Sequence, residues 1–574
     1  MNDIHMLYDL WCEKATADAD LLPELQSVQG NEEEILDRFY KNLEFGTAGL
    51  RGVIGAGTNR MNIYTVNQAT QGLADYLNSD FENPSIAIAY DSRIKSDVFA
   101  RSAACVLAAN GVKVYLYPEL VPTPMLSYAV RALSCSSGII ITASHNPSKY
   151  NGYKCYDPNG YQMTDEAAAK TYAYIQKVDM FTGAKTVDFD EALKNGAIEY
   201  IKREVFENFY SEVRKAQVNP DVCENTDLSV IYTPLNGTGN LHVREILKQI
   251  GIRDVTVVPE QELPDGNFPT CPYPNPEIRQ AFECAIKLSE TKKADLLLAT
   301  DPDCDRVGIA VLDDGEYKLM SGNEVGAMLT EYILSSLAEQ KKLPENPIVV
   351  KTIVTSRLVA EIAENYGAET ADLLTGFKYI GELVTNLEKN GETDRFVVGM
   401  EESYGYLRGA HARDKDAVVA SMLICEMAAY YKAKGMSLYT FMQSIYEKYG
   451  MYLNTLLNFS FEGAAGMQKM ADMMNALRAE APKSVAEETV REITDYKESV
   501  RKNTQTGETE AVTLPKSNVL QYRLEGTDSV IVRPSGTEPK IKVYITSVAP
   551  TREAAQALSL IHISEPTRPI SISY

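Results

Sequence analysis

Short apolar runs rich in Val, Ile and Leu alternate with amphipathic stretches up to about residue 452. Three segments share one rhythm of strand, helix, strand and polar loop. The first has SIAIAY (85–90), the helical VFARSAACVLAANG, VKVYLY (112–117) and GIIIT (138–142), and ends in ASHNP. The second has LSVIYTPL (228–235), a helical stretch to Gly251, DVTVVP (254–259), a second helix and ADLLLAT (294–300), and ends in DPDCDR. The third has IVVKTIV (348–354), SRLVAEIAENYG, AETADLL, a helix near 377–389 and FVVGM (396–400), and ends in EESYG. Buried-type strands alternating with helical periods predict α/β layers. In open α/β sheets, sites form where strands end. Three chemically loaded loops therefore point to one site built between domains.

From about residue 453 the pattern changes to an acidic helical stretch (463–480), a polar region (485–516) and the strand pair SVIVRP and KIKVYIT. This predicts a smaller α+β domain. EYIKREVFENFYSEVRKA (199–216) reads as a helical connector. The expected boundaries are 1–216, 217–321, 322–452 and 453–557. Beyond them, LSLIHISEPTR (558–568) abandons any period and resembles the translation of a transposon-type sequencing-library adapter. The expectation is an authentic chain stopping near Ala557, with a truncated last helix and a non-native 558–574.

Composition narrows the function. The 574 residues are too many for one core. No signal peptide and no apolar run long enough to span a membrane is visible, so a cytoplasmic protein is expected. Nine scattered Cys without a C-x-x-C read as free thiols, and five His without metal-type spacing argue against zinc. A net charge of −23 repels nucleic acid and anionic membranes. It would also repel a phosphorylated metabolite, so any phosphate site must be locally basic.

The loops carry the candidate chemistry. Ser144, in Thr142-Ala143-Ser144-His145-Asn146-Pro147, lacks the G-x-S-x-G setting of a hydrolase, and His145 is too close in sequence to orient it. It reads as an ordinary turn serine or as a phosphoryl carrier, with Lys154 nearby to move protons or neutralise phosphate. Asp301, Asp303 and Asp305 at i, i+2 and i+4 can converge on a hard cation. Arg306 and Leu312 stand where an EF-hand needs Gly and Glu, so the open triad suits Mg²⁺, with an acidic surface turn as the alternative. Glu401 and Ser403, in GMEESYG, can accept from and donate to sugar hydroxyls, or form a solvated loop. Arg413 and Lys415, in HARDKD, can hold phosphate or pair with their Asp neighbours. RPSGTEP offers Arg533, Ser535, Gly536 and Thr537, with Lys542 beyond, as a phosphate cradle. Thr47 and Arg51, in GTAGLRG, repeat that combination. Neither a Walker A loop nor a dinucleotide fingerprint is present.

Together and in this order, GTAGLRG, TASHNP, DPDCDR, GMEESYG and RPSGTEP resemble the α-phosphohexomutase superfamily, in its long-chain bacterial phosphoglucomutase/phosphomannomutase type. The resemblance covers about 40 to 550. It implies four domains around a central cleft: three related α/β sandwich domains and a C-terminal α+β domain. It also implies a phosphorylated Ser144 and Mg²⁺ held by Ser144, Asp301, Asp303 and Asp305. Arg51, Lys154 and Arg306 then belong to the catalytic set. Glu401 and Ser403 contact the sugar, as do Thr375, Gly376 and Lys378 of a second sugar-facing loop. Arg533, Ser535, Gly536, Thr537 and Lys542 bind the non-reacting phosphate. Asn236, where relatives often carry His, receives no role.

The activity so implied is interconversion of α-D-glucose 1-phosphate and glucose 6-phosphate, with glucose 1,6-bisphosphate as activator and intermediate. The expected partner is a phosphorylated sugar, and the expected state a monomer or weak dimer. Phosphomannomutase and phosphopentomutase are the alternatives within the class. A non-catalytic phosphosugar-binding protein is the alternative outside it, although binding alone needs no nucleophile.

Overall fold

A computed structural model describes residues 2–46, 49–461, 463–485, 488–535 and 540–564. The chain divides into two compact units, one of residues 1–322 and 377–439, the other of residues 323–376 and 440–574.

The first unit holds two mixed sheets. In one, Ser137–Ile141, Ser85–Tyr90, Lys113–Leu116 and Ile198–Tyr200 run parallel. Tyr150–Tyr156 and Gly49–Val53 close one edge antiparallel. The central strands Ser137–Ile141 and Ser85–Tyr90 are buried on both faces because helices such as Ile63–Asp80 and Ser96–Ala109 cover them. The second sheet has Leu296–Thr300, Ser229–Thr233 and Asp254–Val257 in parallel, extended antiparallel by Val307–Asp313 and Glu316–Met320. Both sheets turn antiparallel where a chemically loaded loop follows a buried strand. The serine loop joins Ser137–Ile141 to Tyr150–Tyr156, and the triad loop joins Leu296–Thr300 to Val307–Asp313. Each loop is thus a tight connection whose two ends are fixed by ladder hydrogen bonds. This unit also contains the antiparallel pair Phe396–Glu401 and Gly405–Leu407.

The expected connector is the helix Arg203–Arg214, preceded by an edge strand that the helical reading of 199–216 had absorbed. Its exit turn is pinned by the fully buried Glu426, which accepts from the amides of Val218 (2.8 Å) and Asn219 (3.1 Å). Ahead of the first sheet, Asn2–Lys14, Leu21–Ser27 and Glu32–Phe39 form a helical cap around Trp11, Leu25 and Phe39.

In the second unit, Ile348–Thr352 pairs parallel with Glu369–Leu373. Its C-terminal part is one large sheet in which Met451–Ser460, Lys540–Ala549, Ser529–Pro534, Leu520–Leu524 and Glu488–Asp495 are successive neighbours. The sequence reading saw only two of these strands. Glu488–Asp495, Val500–Asn503 and Thr509–Ala511 are polar because their sheet faces water, which hides them within a stretch that looks structureless. The last helix runs Arg552–Ser564, past the expected break after Ala557. Within it Ser559 is buried, with its hydroxyl 2.9 Å from that of Thr455. No helix among the described residues is long and apolar enough to cross a membrane.

Candidate active site

Ser144 is buried and takes a left-handed backbone conformation (φ 53°) at the end of its strand. Cys304 (φ 50°) and Tyr404 (φ 66°) do the same in the triad and sugar loops. Non-glycine residues in this region are strained, and such strain gathers at functional sites. The serine loop is held by Arg93. Its guanidinium donates to the carbonyls of Ser144 (2.5 Å), Pro147 and Tyr150 (both 3.0 Å) and to that of Asn146. Asp91 orients this turn by accepting from the Arg93 amide at 2.9 Å and the Ser96 hydroxyl at 2.8 Å. Sequence reasoning passed over this pair. A charged Asp-Ser-Arg directly after the buried strand Ser85–Tyr90 was the available signal.

Asp301, Asp303 and Asp305 are almost fully buried and offer one oxygen each within 4.8 Å of one another. Asp301 accepts from the Ser144 hydroxyl at 2.9 Å, across 157 positions of sequence. It also accepts from the amides of Asp305 (3.1 Å) and Arg306 (3.0 Å), which tighten the loop. Asp303 accepts from Lys154 at 2.8 Å and Thr123 at 3.0 Å. Burial and the neighbouring Asp303 and Asp305 carboxylates push Asp301 well above the usual carboxylate range. Burial works against the charge on Asp303, but Lys154, a hydrogen bond with Asp301 and the charge of Lys415 together outweigh it and hold its carboxyl well below that range. Asp303 Oδ1 and Asp305 Oδ1 are buried without a hydrogen-bond partner. Three converging carboxylates with two orphaned oxygens fit a hard divalent cation. Behind the loop, Gly237 lies so close to Pro302 that a Cβ would overlap its backbone. Asn236 serves this packing, donating to the Leu263 carbonyl at 2.8 Å.

The site is locally basic within an acidic chain. Burial pushes His145 well below its ordinary pKa, and the charges of Arg306, Arg51 and Lys154 add to that effect. His145 is thus a neutral ring, 3.3 Å from the Ser144 hydroxyl, in a positive field that suits an anion. Arg51 lies opposite Gly152, and Gly49 opposite Lys154, so Arg51 and Lys154 share one face of the sheet.

Residues 411–416 precede the helix Ala417–Ala433, whose N-cap is Asp416. Lys415 is buried, 3.2 Å from Asp305 and 3.0 Å from Asp414. Burial would lower its pKa, but Asp305, Asp414 and Glu401 raise it, so it stays charged. Its stem crosses Gly405, where a Cβ would overlap it. Tyr156 donates to Asp414 at 2.5 Å.

Arg413 corrects the sequence reading. Its side chain is fully buried and donates to Glu388 (2.7 Å), Thr385 (2.9 Å) and the carbonyls of Ala410 (2.5 Å) and Ala412 (3.1 Å). It ties the loop to the helix Phe377–Lys389 and has no face left for a phosphate. Lys378 is engaged by Asp165 at 2.7 Å. Glu401 is buried, and its charge reaches Arg306 as well as Lys415; Ser403 is partly exposed in the following turn. Thr375 and Gly376 belong to the second unit, as do Arg533, Ser535 and Lys542. There Arg533 stands opposite Lys542, and the Ser535 amide donates to the Lys540 carbonyl at 2.7 Å. Thr47, Gly536 and Thr537 lie outside the described residues.

Comparison with known proteins places nearly the whole chain in one family. Family models described as phosphoglucomutase/phosphomannomutase, alpha/beta/alpha domains I, II and III, match residues 42–181, 207–315 and 321–449. The C-terminal domain of the same family matches residues 473–559. The phosphoglucomutase of Staphylococcus saprophyticus is 36% identical over 538 residues, covering 94% of this chain and 96% of that one. That of Staphylococcus aureus is 35% identical over 546 residues, covering 94% and 96%. A solved phosphoglucomutase/phosphomannomutase family protein from Burkholderia thailandensis shares the fold with a TM-score of 0.66 at 18% identity, covering 92% and 98%. Parafusin from Paramecium, in an open form, gives 0.67 at 17% identity, covering 91% and 94%. The chain belongs to the phosphoglucomutase/phosphomannomutase family, with three α/β/α domains and a C-terminal domain. It is an isomerase of the phosphohexomutase class.

Proposed function

We propose that the chain interconverts α-D-glucose 1-phosphate and glucose 6-phosphate through a phosphorylated Ser144. The observation that carries this reading is the hydrogen bond from Ser144 to Asp301, which joins a nucleophile to a cation-type triad. Relatives named phosphoglucomutase favour glucose as the sugar.

Phospho-Ser144 gives its phosphoryl group to the free sugar hydroxyl. The P–O bond to Ser144 breaks as the bond to the sugar oxygen forms, the hydroxyl proton ends on the freed Ser144 oxygen, and Lys154, paired with Asp303, relays that proton by giving up one of its own as it takes the sugar's. The product is glucose 1,6-bisphosphate, whose other phosphate then returns to Ser144. Arg306 and Arg51 offset charge on the transferring group, and positioning supplies much of the remaining acceleration. Asp301, Asp303 and Asp305 would hold Mg²⁺ together with a phosphoserine oxygen; the ion, when bound, neutralises phosphoryl charge. Glu401, Ser403, Thr375, Gly376 and Lys378 would read the sugar. Arg533, Ser535, Gly536, Thr537 and Lys542 would bind the phosphate that does not react. All nine thiols are free, which suits a reducing cytoplasm, where the chain would act as a monomer or weak dimer.

The test is a panel of glucose, mannose and ribose 1-phosphates, assayed with Mg²⁺ and the matching bisphosphate. Glucose 1-phosphate should turn over fastest. Faster turnover of ribose 1-phosphate or mannose 1-phosphate would replace glucose as the substrate, and no turnover of any would favour a binding protein.

A further inference from the structure

Residues 263–277 are a long connection without regular structure in the second sheet's domain, and none of the chemistry above uses them. They nevertheless touch both halves of the site. Phe268, buried and at φ 48°, lies under Arg93, with the guanidinium carbon 5.1 Å from its ring centroid. Gly266 approaches the backbone of Ser92 and Ile94 so closely that a Cβ would overlap both. Tyr273 packs edge-on against His145, with centroids 5.8 Å apart. At the far end, Glu277 Oε1 accepts from Arg306 at 2.8 Å.

The backbone that carries Glu277 is itself held in place. Asn275, buried, accepts the Glu277 amide at 3.0 Å. Pro276 lies against Gly308, on the strand leaving the triad, and a Cβ there would overlap its carbonyl. Asp305 is the competitor, 3.7 Å from Arg306 Nε. Without Glu277, the guanidinium would turn toward Asp305, a residue of the proposed cation site.

We propose that Glu277 is a positioning residue for phosphoryl transfer. It aims Arg306 at the transferring phosphate and keeps it off Asp305, while Phe268 ties the same loop to the Arg93 brace of Ser144. This rests on the reading of Ser144 and Arg306 given above.

The test is a double-mutant cycle of Glu277→Gln and Arg306→Gln in the full chain, with Ser144→Ala as control. The isosteric Glu277→Gln should lower kcat roughly 10- to 100-fold, since a misplaced group can cost up to that much, with KM shifted far less. In the Arg306→Gln background it should cost less than about 2-fold, because the two residues act as one unit. A Glu277→Gln enzyme within about 2-fold of wild type would overturn the proposal, as would a loss that is fully retained without Arg306. An active Ser144→Ala would instead bring down the phosphoserine reading itself, so the two failures are distinguishable.

Discussion

The Ser144 hydroxyl lies 2.9 Å from Asp301 Oδ2, so two loops from different sheets meet at one hydrogen bond. Under the proposed mechanism, Ser144→Ala should abolish turnover, because it deletes the phosphoryl-accepting oxygen, at a stability cost of about 1–3 kcal/mol for the lost bond to buried Asp301. Intact mass after incubation with glucose 1,6-bisphosphate should show one added phosphate on the wild type and none on the variant. Phosphorylation at another residue would refute the assignment.

Asp303 pairs with Lys154 and Thr123 and keeps a second oxygen unpartnered. Asp303→Asn should therefore cost roughly 10² to 10³ in kcat by weakening charge stabilisation, and should raise the Mg²⁺ concentration needed. Gly237→Ala should act on the same loop from behind. Its methyl would press on Pro302, at a cost of about 1–3 kcal/mol in stability, and loosen the cation site. Mg²⁺ titrations of activity and of binding heat would check both. Unchanged Mg²⁺ dependence in Asp303→Asn would remove that residue from the site.

Arg413 is buried, while its partner Glu388 is about half exposed. Arg413→Gln should destabilise the chain by ~2–3 kcal/mol, less than a fully buried pair because Glu388 reaches water. KM for glucose 1-phosphate should stay near wild type. A large rise in KM at unchanged melting temperature would show that Arg413 does hold phosphate.

The C-terminal sheet carries a pH response. Burial raises Asp528 from 3.8 to about 6. Burial also raises Glu488 to about 7, and Asp528 and Glu525 add to it. The fold thus prefers both carboxyls neutral. Their contribution is fully present below the unfolded values near 4 and is lost as pH rises through about 6 and 7. Asp528→Asn keeps an acceptor for the Val548 amide and removes the charge. It should add on the order of 2 kcal/mol at pH 8 and almost nothing at pH 4. Melting curves at pH 4, 6 and 8 decide; parallel profiles for the two proteins would contradict this account.

The parallel strands and the loops that follow them were legible in the sequence, because strands buried on both faces leave unbroken apolar runs. The i, i+2, i+4 spacing of Asp301, Asp303 and Asp305 allowed their carboxylates to converge, as they do, but an acidic surface turn fitted it as well, and Ser144 by itself could not be told from an ordinary turn serine. The polar strands of the C-terminal sheet were not legible, because a strand facing water loses its apolar signature. Nor could the sequence distinguish Arg413 from Lys415, two positions apart in one basic loop. Only the tertiary structure turned the first onto Glu388, away from any phosphate, and the second onto Asp305. The same holds for Arg93 and Glu277. Their partners lie 51 and 29 positions away, and a charged residue's role is decided by which groups the packed chain brings within hydrogen-bonding distance.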